Sequence, residues 1–128
     1  MVCLDTDLLI DFLKGRPDAM EAVRVQKESG PLRTTVINEY ELLKGVSTER
    51  GKDNRELVKN TLSTMDVLVL DEEACETASG LFGDLSSKGR MVGEFDLLIA
   101  AIAVRNGEPL VTRDQHFKRI PRLKVKRW

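Results

Sequence analysis

Four acidic residues stand at positions where their carboxylates could act together. Asp5 ends a short apolar run, and Asp114 follows another such run near the end of the chain. Glu41 lies on the predicted helix after a second run, and Asp96 lies in the first turn of the most apolar helix. Because ligands of parallel α/β sheets bind at the carboxyl ends of the strands, these side chains are expected to meet there. Such a cluster either binds a hard cation such as Mg²⁺ or Mn²⁺, or keeps some of its protons.

Each of these acids also has an ordinary structural interpretation when it is taken alone. Asp5 could cap the helix that follows it, and Asp96 could serve the positive end of a helix dipole. Glu41 could be a solvated helix residue, and Asp114 a turn residue. Their shared placement at one end of a predicted sheet favours the functional interpretation.

Other catalytic arrangements find little support in the sequence. His116 is the only histidine, and no serine or cysteine has a plausible histidine–aspartate relay. No glycine-rich phosphate loop is present. Cys3 and Cys75 lie far apart, and both are interpreted as small buried hydrophobic residues.

The elements that would position these acids alternate between short apolar runs and longer segments of helical period. This alternation predicts βαβ units and a parallel sheet covered by helices. The predicted strands are Met1–Leu4, Leu32–Val36, Met65–Leu70, Leu110–Thr112 and Leu123–Lys126. The predicted helical segments are Thr6–Lys14, Pro17–Ser29, Glu39–Lys44 with Asn38 as N-cap, Lys52–Thr64, Glu72–Ser87 with Asp71 as N-cap, Asp96–Val104 and a short piece at Gln115–Arg119.

Length and composition are those of one globular domain, which we predict over residues 1–128. Hydrophobic residues make up 41% of the chain and charged residues 32%, so neither a disordered nor a membrane-embedded protein is expected. The first residues carry acids and no basic segment, unlike a signal peptide. A reduced, cytoplasmic protein is therefore the expectation.

Four motifs in order resemble the PIN-domain nucleases, in particular the single-domain VapC-like toxins of prokaryotic toxin–antitoxin pairs. The matching stretches are LDTDLLIDFLKG at Leu4–Gly15, TTVINEYELLKG at Thr34–Gly45, GEFDLLIAAIAVRNG at Gly93–Gly107 and LVTRDQHFKRI at Leu110–Ile120. The resemblance covers essentially the whole chain. It implies a PIN-like three-layer α/β/α fold with a central parallel five-stranded sheet.

The resemblance also implies which residues form the site. The acidic quartet of the family falls on Asp5, Glu41, Asp96 and Asp114, which would hold Mg²⁺ or Mn²⁺. Glu39 is the alternative to Glu41, because only one of two residues so close on a helix can face the site.

Further residues of the matching motifs receive smaller roles from the same resemblance. Thr6 and Thr112 would supply hydroxyls that orient carboxylates or water. Asp7 takes a position that is often asparagine in the family, and Glu94 is an extra acid without an assigned role. At position 116, where the family often has an acid, this chain has a histidine.

The activity that the resemblance implies is metal-dependent hydrolysis of RNA phosphodiester bonds. The implied partners are an RNA substrate, a cognate VapB-like antitoxin whose arm can reach the active-site groove, and a second copy of the chain in a homodimer. The dimer surface would use the exposed apolar positions of the helices at Ala19–Val25 and Leu57–Leu62. Three alternatives stay open: an RNA-processing PIN nuclease without a toxin role, an inert PIN-fold binding module, and a phosphotransferase of the haloacid-dehalogenase type.

Basic residues are concentrated at the end of the chain despite the formal net charge of −1. Arg113 is the candidate for a substrate phosphate contact because it adjoins Asp114, while Lys14, Arg16 and Lys44 are weaker candidates. The structural alternative for the basic end is a charged, solvated edge strand. Aromatic residues make up only 5% of the chain, which predicts limited base stacking. The seven basic residues from position 113 onward are Arg113, Lys118, Arg119, Arg122, Lys124, Lys126 and Arg127.

Overall fold

Five short parallel strands form the centre of the protein in the order β3-β2-β1-β4-β5. The computed structural model describes all 128 residues. The strands are β1 Cys3–Leu4, β2 Arg33–Thr35, β3 Asp66–Leu68, β4 Leu110–Val111 and β5 Val125–Lys126. The predicted all-parallel five-stranded sheet is therefore confirmed, although each strand is shorter than the apolar run that predicted it.

Six α-helices connect and cover the strands. They are α1 Thr6–Leu13, α2 Pro17–Glu28, α3 Val36–Gly45, α4 Arg55–Ser63, α5 Glu72–Ser87 and α6 Glu94–Arg105. Short 3₁₀ turns span Lys52–Asn54 and Gln115–Arg119. None of the helices is long and apolar enough to cross a membrane.

The two central strands send alternate side chains into two separate hydrophobic clusters, as the period of a strand requires. Leu4 and Val111 point into a cluster with α1 to α4, while Cys3 and Leu110 point into a cluster with α5 and α6. Helices thus cover both faces of the sheet, and the predicted three layers are confirmed. The carboxyl ends of β1 and β4 lie side by side, because Leu4 pairs with Val111 in the register of the sheet.

The start of α3 differs from the prediction. Thr35, not Asn38, is the N-cap, and its hydroxyl accepts the backbone N–H of Asn38 while the Asn38 side-chain oxygen accepts the backbone N–H of Thr35. This reciprocal capping box satisfies two helix-end donors and begins the helix three residues earlier than predicted. Asn38 is fully buried as a result, and its amide nitrogen is free to reach the end of β1.

Cys75 is exposed, contrary to the prediction that both cysteines are buried, whereas Cys3 lies in the core. The buried face of α5 consists of Ala74, Ala78, Leu81 and Leu85, which recur at helical spacing. Position 75 lies one residue off that face, so its side chain turns to solvent.

The helices proposed for a dimer surface bury half of their apolar side chains inside the protein. Val23 and Leu62 belong to the core, while Met20, Val25 and Leu57 are exposed. Only these three are available to a partner, and self-association stays a prediction.

Candidate active site

Asp5 lies where β1 ends and α1 begins, and its side chain is only 5% exposed. It occupies the N-cap position of α1, but its carboxylate makes no capping hydrogen bond. Instead one oxygen accepts the amide of Asn38 at 3.0 Å, and the other accepts the hydroxyl of Thr112 at 2.6 Å. The capping interpretation of Asp5 is therefore not supported, and its carboxylate is held by two polar neighbours from other elements.

Burial is the main reason that the pKa of Asp5 is raised to about 7. The hydrogen bond from Thr112 acts in the opposite direction, and the negative charge of Asp7 raises the pKa further. A carboxylate buried without a compensating cation favours its protonated form, or a bound metal ion.

A chain of hydrogen bonds joins Asp5 to Glu41 across α1 and α3. The Asn38 amide donates to both Asp5 and the Thr6 hydroxyl, at 3.0 and 2.8 Å. The Thr6 hydroxyl in turn donates to Glu41 at 2.7 Å. Glu41 thus lies on the side of α3 that faces Asp5, and the Thr6 hydroxyl holds its carboxylate there.

A second chain of hydrogen bonds joins Asp5 to Asp114 through the end of β4. The Thr112 hydroxyl that donates to Asp5 accepts the backbone N–H of Asp114 at 3.1 Å. Asp7 lies beside this chain, where it accepts the backbone N–H of Arg113 at 2.8 Å. Asp7 therefore connects α1 to the turn after β4, a positioning role that sequence pattern alone did not assign.

Asp96, Asp114 and His116 bring their ligand atoms within 4.8 Å of one another. Asp96 comes from the first turn of α6, and Asp114 caps the 3₁₀ turn that contains His116. The His116 Nδ1 lies 2.9 Å from an oxygen of Asp114. Burial raises the pKa of Asp96, and the charges of Asp114 and Glu41 raise it further. That coupling shows that Asp96 shares the electrostatic environment of both acids.

The residues present fit a hard divalent cation. No lysine or arginine forms an ion pair with any of the four acids Asp5, Glu41, Asp96 and Asp114. His116 beside Asp114 is thus the only basic side chain that pairs with these acids, while oxygen donors of this kind suit Mg²⁺ and Mn²⁺.

The two other candidate acids lie outside this cluster. Glu39 lines a shallow groove towards α4 with Leu43 and Lys59, on a different face of α3 from Glu41. Glu94 begins α6, is exposed, and makes no ion pair or side-chain hydrogen bond. The geometry thus favours Glu41 over Glu39 at the site.

The Arg113 guanidinium already contacts two other side chains of the protein, Trp128 and Asp18. It stacks on the Trp128 ring at 3.6 Å from the ring centroid, and it forms an ion pair with Asp18 at 2.8 Å. Its Nε donates to the carbonyl oxygen of Trp128. A phosphate contact from Arg113 stays a prediction, and it would require the guanidinium to exchange Asp18 for the phosphate.

The remaining basic residues of the C-terminal segment are exposed and form no ion pairs. Two of them end the 3₁₀ turn at Gln115–Arg119, and the other four lie in or next to β5, which is an edge strand of the sheet. Both interpretations of this segment, edge protection and RNA contact, are compatible with that placement. These exposed residues are Lys118, Arg119, Arg122, Lys124, Lys126 and Arg127.

The family model of the PIN domain matches residues 2–123 of the chain. The chain belongs to the PIN domain family. This PIN domain is 26% identical over 126 residues to ribonuclease VapC1 of Methanocaldococcus jannaschii, covering 98% of this chain and 85% of the relative. It is 28% identical over 127 residues to the tRNA(fMet)-specific endonuclease VapC of Shigella flexneri, covering 98% and 96% of the two chains.

Solved structures agree with the fold of this PIN domain. A chain in the crystal structure of VapBC2 from Rickettsia felis, bound to a DNA fragment from its promoter, superposes with a TM-score of 0.91 at 26% identity. The match covers 100% of this chain and 99% of that chain. The resemblance stated from four motifs is therefore confirmed at the level of family and fold.

Two residues of this site were missed by sequence reasoning. The sequence predicts Asn38 as a helix cap, but an asparagine three residues after a threonine is also the pattern of a reciprocal cap that frees its amide. His116 receives no role from the sequence, although its spacing of two from Asp114 and its place at a position that is often acidic in the family both indicate that it lies near the site.

Proposed function

We propose that this PIN domain protein is a divalent-metal-dependent endoribonuclease and the toxin of a VapBC-type toxin–antitoxin pair. The observation that carries the proposal is the buried Asp5 carboxylate, which is uncompensated by any basic side chain and linked to Glu41 and Asp114. Similarity over nearly the whole length to proteins named VapC ribonucleases supports the RNA substrate. Neighbouring structures of toxin–antitoxin complexes support the antitoxin partner.

In this proposal Asp5, Asp96 and Asp114 would hold Mg²⁺ or Mn²⁺, and Glu41 would complete or orient the site. A bound ion of this kind lowers the pKa of a coordinated water and offsets the negative charge of the phosphodiester. The chain's own contribution is to fix the carboxylates of Asp5 and Glu41 before substrate arrives. Asn38, Thr6 and Thr112 do so through hydrogen bonds to the carboxylate oxygens.

We expect the purified chain to cleave single-stranded RNA only when Mg²⁺ or Mn²⁺ is present. Fragment analysis on gels, with and without excess chelator, measures this requirement, and calorimetric titration of the metal measures its binding. Cleavage that persists in chelator would contradict the metal site. Absence of both metal binding and cleavage at millimolar metal would instead favour an inert binding module.

Thr6→Val is expected to lower the cleavage rate by about 10- to 100-fold, because Glu41 loses its hydroxyl donor and Asn38 loses an acceptor. The matched control is Thr6→Ser, which keeps the hydroxyl and should stay close to wild type. Initial rates at saturating metal, together with circular dichroism of each variant, provide the comparison. A cleavage rate of Thr6→Val close to wild type would contradict the role of the hydroxyl.

A surface of this protein beside the site is suited to binding an antitoxin. A cavity of about 390 Å³ between α1, α3 and α4 is lined mainly by apolar residues and extends to Glu41. We propose that an antitoxin arm bound there would cover the approach to the acids. A small antitoxin-like gene directly upstream, whose product co-purifies with this chain, would support a toxin role over an RNA-processing role. The apolar lining residues are Ile10, Leu13, Leu42, Val46, Leu57 and Val58.

A further inference from the structure

Two aromatic rings lie against each other at the protein surface, and they belong to neither hydrophobic cluster. Tyr40 of α3 and Phe95 of α6 have ring centroids 5.6 Å apart and ring planes at 87°. Tyr40 is 49% exposed and Phe95 is 41% exposed. In an edge-to-face pair one ring covers a single face of the other, so three of the four ring faces stay uncovered by the pair itself.

The aromatic pair borders the acidic site. Tyr40 immediately precedes Glu41, and Phe95 immediately precedes Asp96. Consecutive Cα atoms lie about 3.8 Å apart, so each ring is carried by the direct neighbour of a site carboxylate. Helices α3 and α6 pack against each other, and the contact between the two rings brings the segments that carry Glu41 and Asp96 together. A phosphodiester held at the acids would therefore have its adjoining nucleoside near the rings.

A free cation accompanies the rings. Lys44 follows Tyr40 by one helical turn, and its Nζ lies 6.0 Å from the centroid of the Tyr40 ring. Lys44 forms no ion pair with a carboxylate. Aromatic faces beside an unpaired cation are the combination that binds single-stranded nucleic acids, where rings stack on bases and cations contact the backbone.

We propose that Tyr40 and Phe95 form a stacking platform for an unpaired base next to the scissile phosphate, with Lys44 contacting the RNA backbone. This proposal rests on the proposed ribonuclease function and adds the residues that hold the substrate beside the scissile phosphate. A base inside a duplex has both of its faces covered by neighbouring pairs, so the platform selects single-stranded or looped RNA. The low aromatic content of the chain predicted little stacking, but these two rings are placed where stacking matters.

A second copy of the chain is the competing occupant of this surface. A full aromatic side chain offers about 150–250 Å², so a half-exposed pair offers about 200 Å². A stable protein interface needs about 800 Å² from each partner. The pair alone is thus too small for a dimer contact, while its size suits one nucleobase.

Because Tyr40 is the only tyrosine, its ring can be observed directly. We expect a single ring resonance from protein labelled at tyrosine, and it should shift when a single-stranded oligoribonucleotide is added to the Asp5→Asn variant, which leaves the RNA intact. An abasic oligomer of the same length should shift it far less. A resonance that moves equally with both oligomers would overturn base stacking.

The affinity of the same oligoribonucleotide, measured by fluorescence anisotropy, should fall about 10-fold or more in Tyr40→Ala/Phe95→Ala. Tyr40→Phe should bind the oligoribonucleotide as tightly as the protein with both rings intact, since it keeps the ring. Phe82→Ala is the matched control, because Phe82 is a 42% exposed ring on α5 that lies outside the site. Unchanged affinity in the double variant would contradict the platform.

Two further outcomes distinguish the stacking platform from a dimer contact and from the proposed nuclease activity. If the double variant loses dimerisation in sedimentation and keeps its RNA affinity, the rings belong to a contact between copies and the platform is wrong. If the wild-type protein binds RNA through the rings but cleaves none with Mg²⁺ or Mn²⁺, the platform stands and the proposed nuclease activity fails.

Discussion

Asp5→Asn is expected to reduce RNA cleavage by about 100-fold or more while the fold is retained. The substitution removes the buried negative charge that a cation needs, but it keeps the shape of the side chain. The asparagine oxygen can still accept from Asn38, and its amide can donate to the Thr112 hydroxyl, which has Asp7 as a second acceptor at 3.3 Å. Initial rates with Mg²⁺ and thermal unfolding of both proteins measure the two effects.

The control for this variant is Asp11→Asn, which removes a carboxylate from the same helix. Asp11 is paired with Arg16 at 3.4 Å, and neither residue contacts the acidic site. Its activity should match wild type. Robust cleavage by the Asp5→Asn variant would remove Asp5 from the metal site.

The metal-free protein is expected to lose stability as pH rises from about 4 to about 7. Asp5 titrates near 4 in the unfolded chain and at about 7 in the folded protein, so the folded state binds more protons throughout this window. The free energy of unfolding therefore falls with rising pH and levels off above 7. A shift of three units corresponds to a loss on the order of 4 kcal/mol. Asp96, whose pKa is also raised, contributes in the same direction.

Denaturant unfolding of wild type and Asp5→Asn at pH 4.5, 6 and 8 in chelator tests this expectation. The two proteins should have similar stability at pH 4.5, and the variant should be the more stable one at pH 8. Added Mg²⁺ should then raise the stability of the wild type at pH 8 more than that of the variant. The metal stabilises only the folded state, and the variant lacks the Asp5 carboxylate that would help to bind it. Parallel pH profiles for the two proteins would show that Asp5 is charged and stable in the metal-free fold.

Much of this fold can be predicted from sequence patterns, because its strands and site acids have recognisable local signals. Each strand produces a short apolar run, and each site acid follows or precedes a recognisable element, as with Asp5 after β1 and Asp114 after β4. The four motifs then fix the order of the elements. The layered sheet and the four converging acids could therefore be predicted without coordinates.

The remaining features depend on contacts between distant residues, which local patterns do not encode. Tyr40 and Phe95 are 55 positions apart in the chain, yet their rings meet across α3 and α6. Arg113 looks free in the sequence, but folding brings it against Trp128 and Asp18. Cys75 is exposed because it lies one position after Ala74, off the face of α5 that packs against the core.

The central position of β1 has a consequence for how this protein is made. Its two residues pair with β2 and with β4, and the buried Asp5 that follows takes a hydrogen bond from Thr112, 107 positions later. Chains are synthesised from the N-terminus, and contacts of such long separation form late. A growing chain on the ribosome therefore holds Asp5 and Glu41 without Asp96 or Asp114. Under the proposed mechanism, a nascent copy is expected to leave the RNA around it intact until nearly the whole chain has emerged.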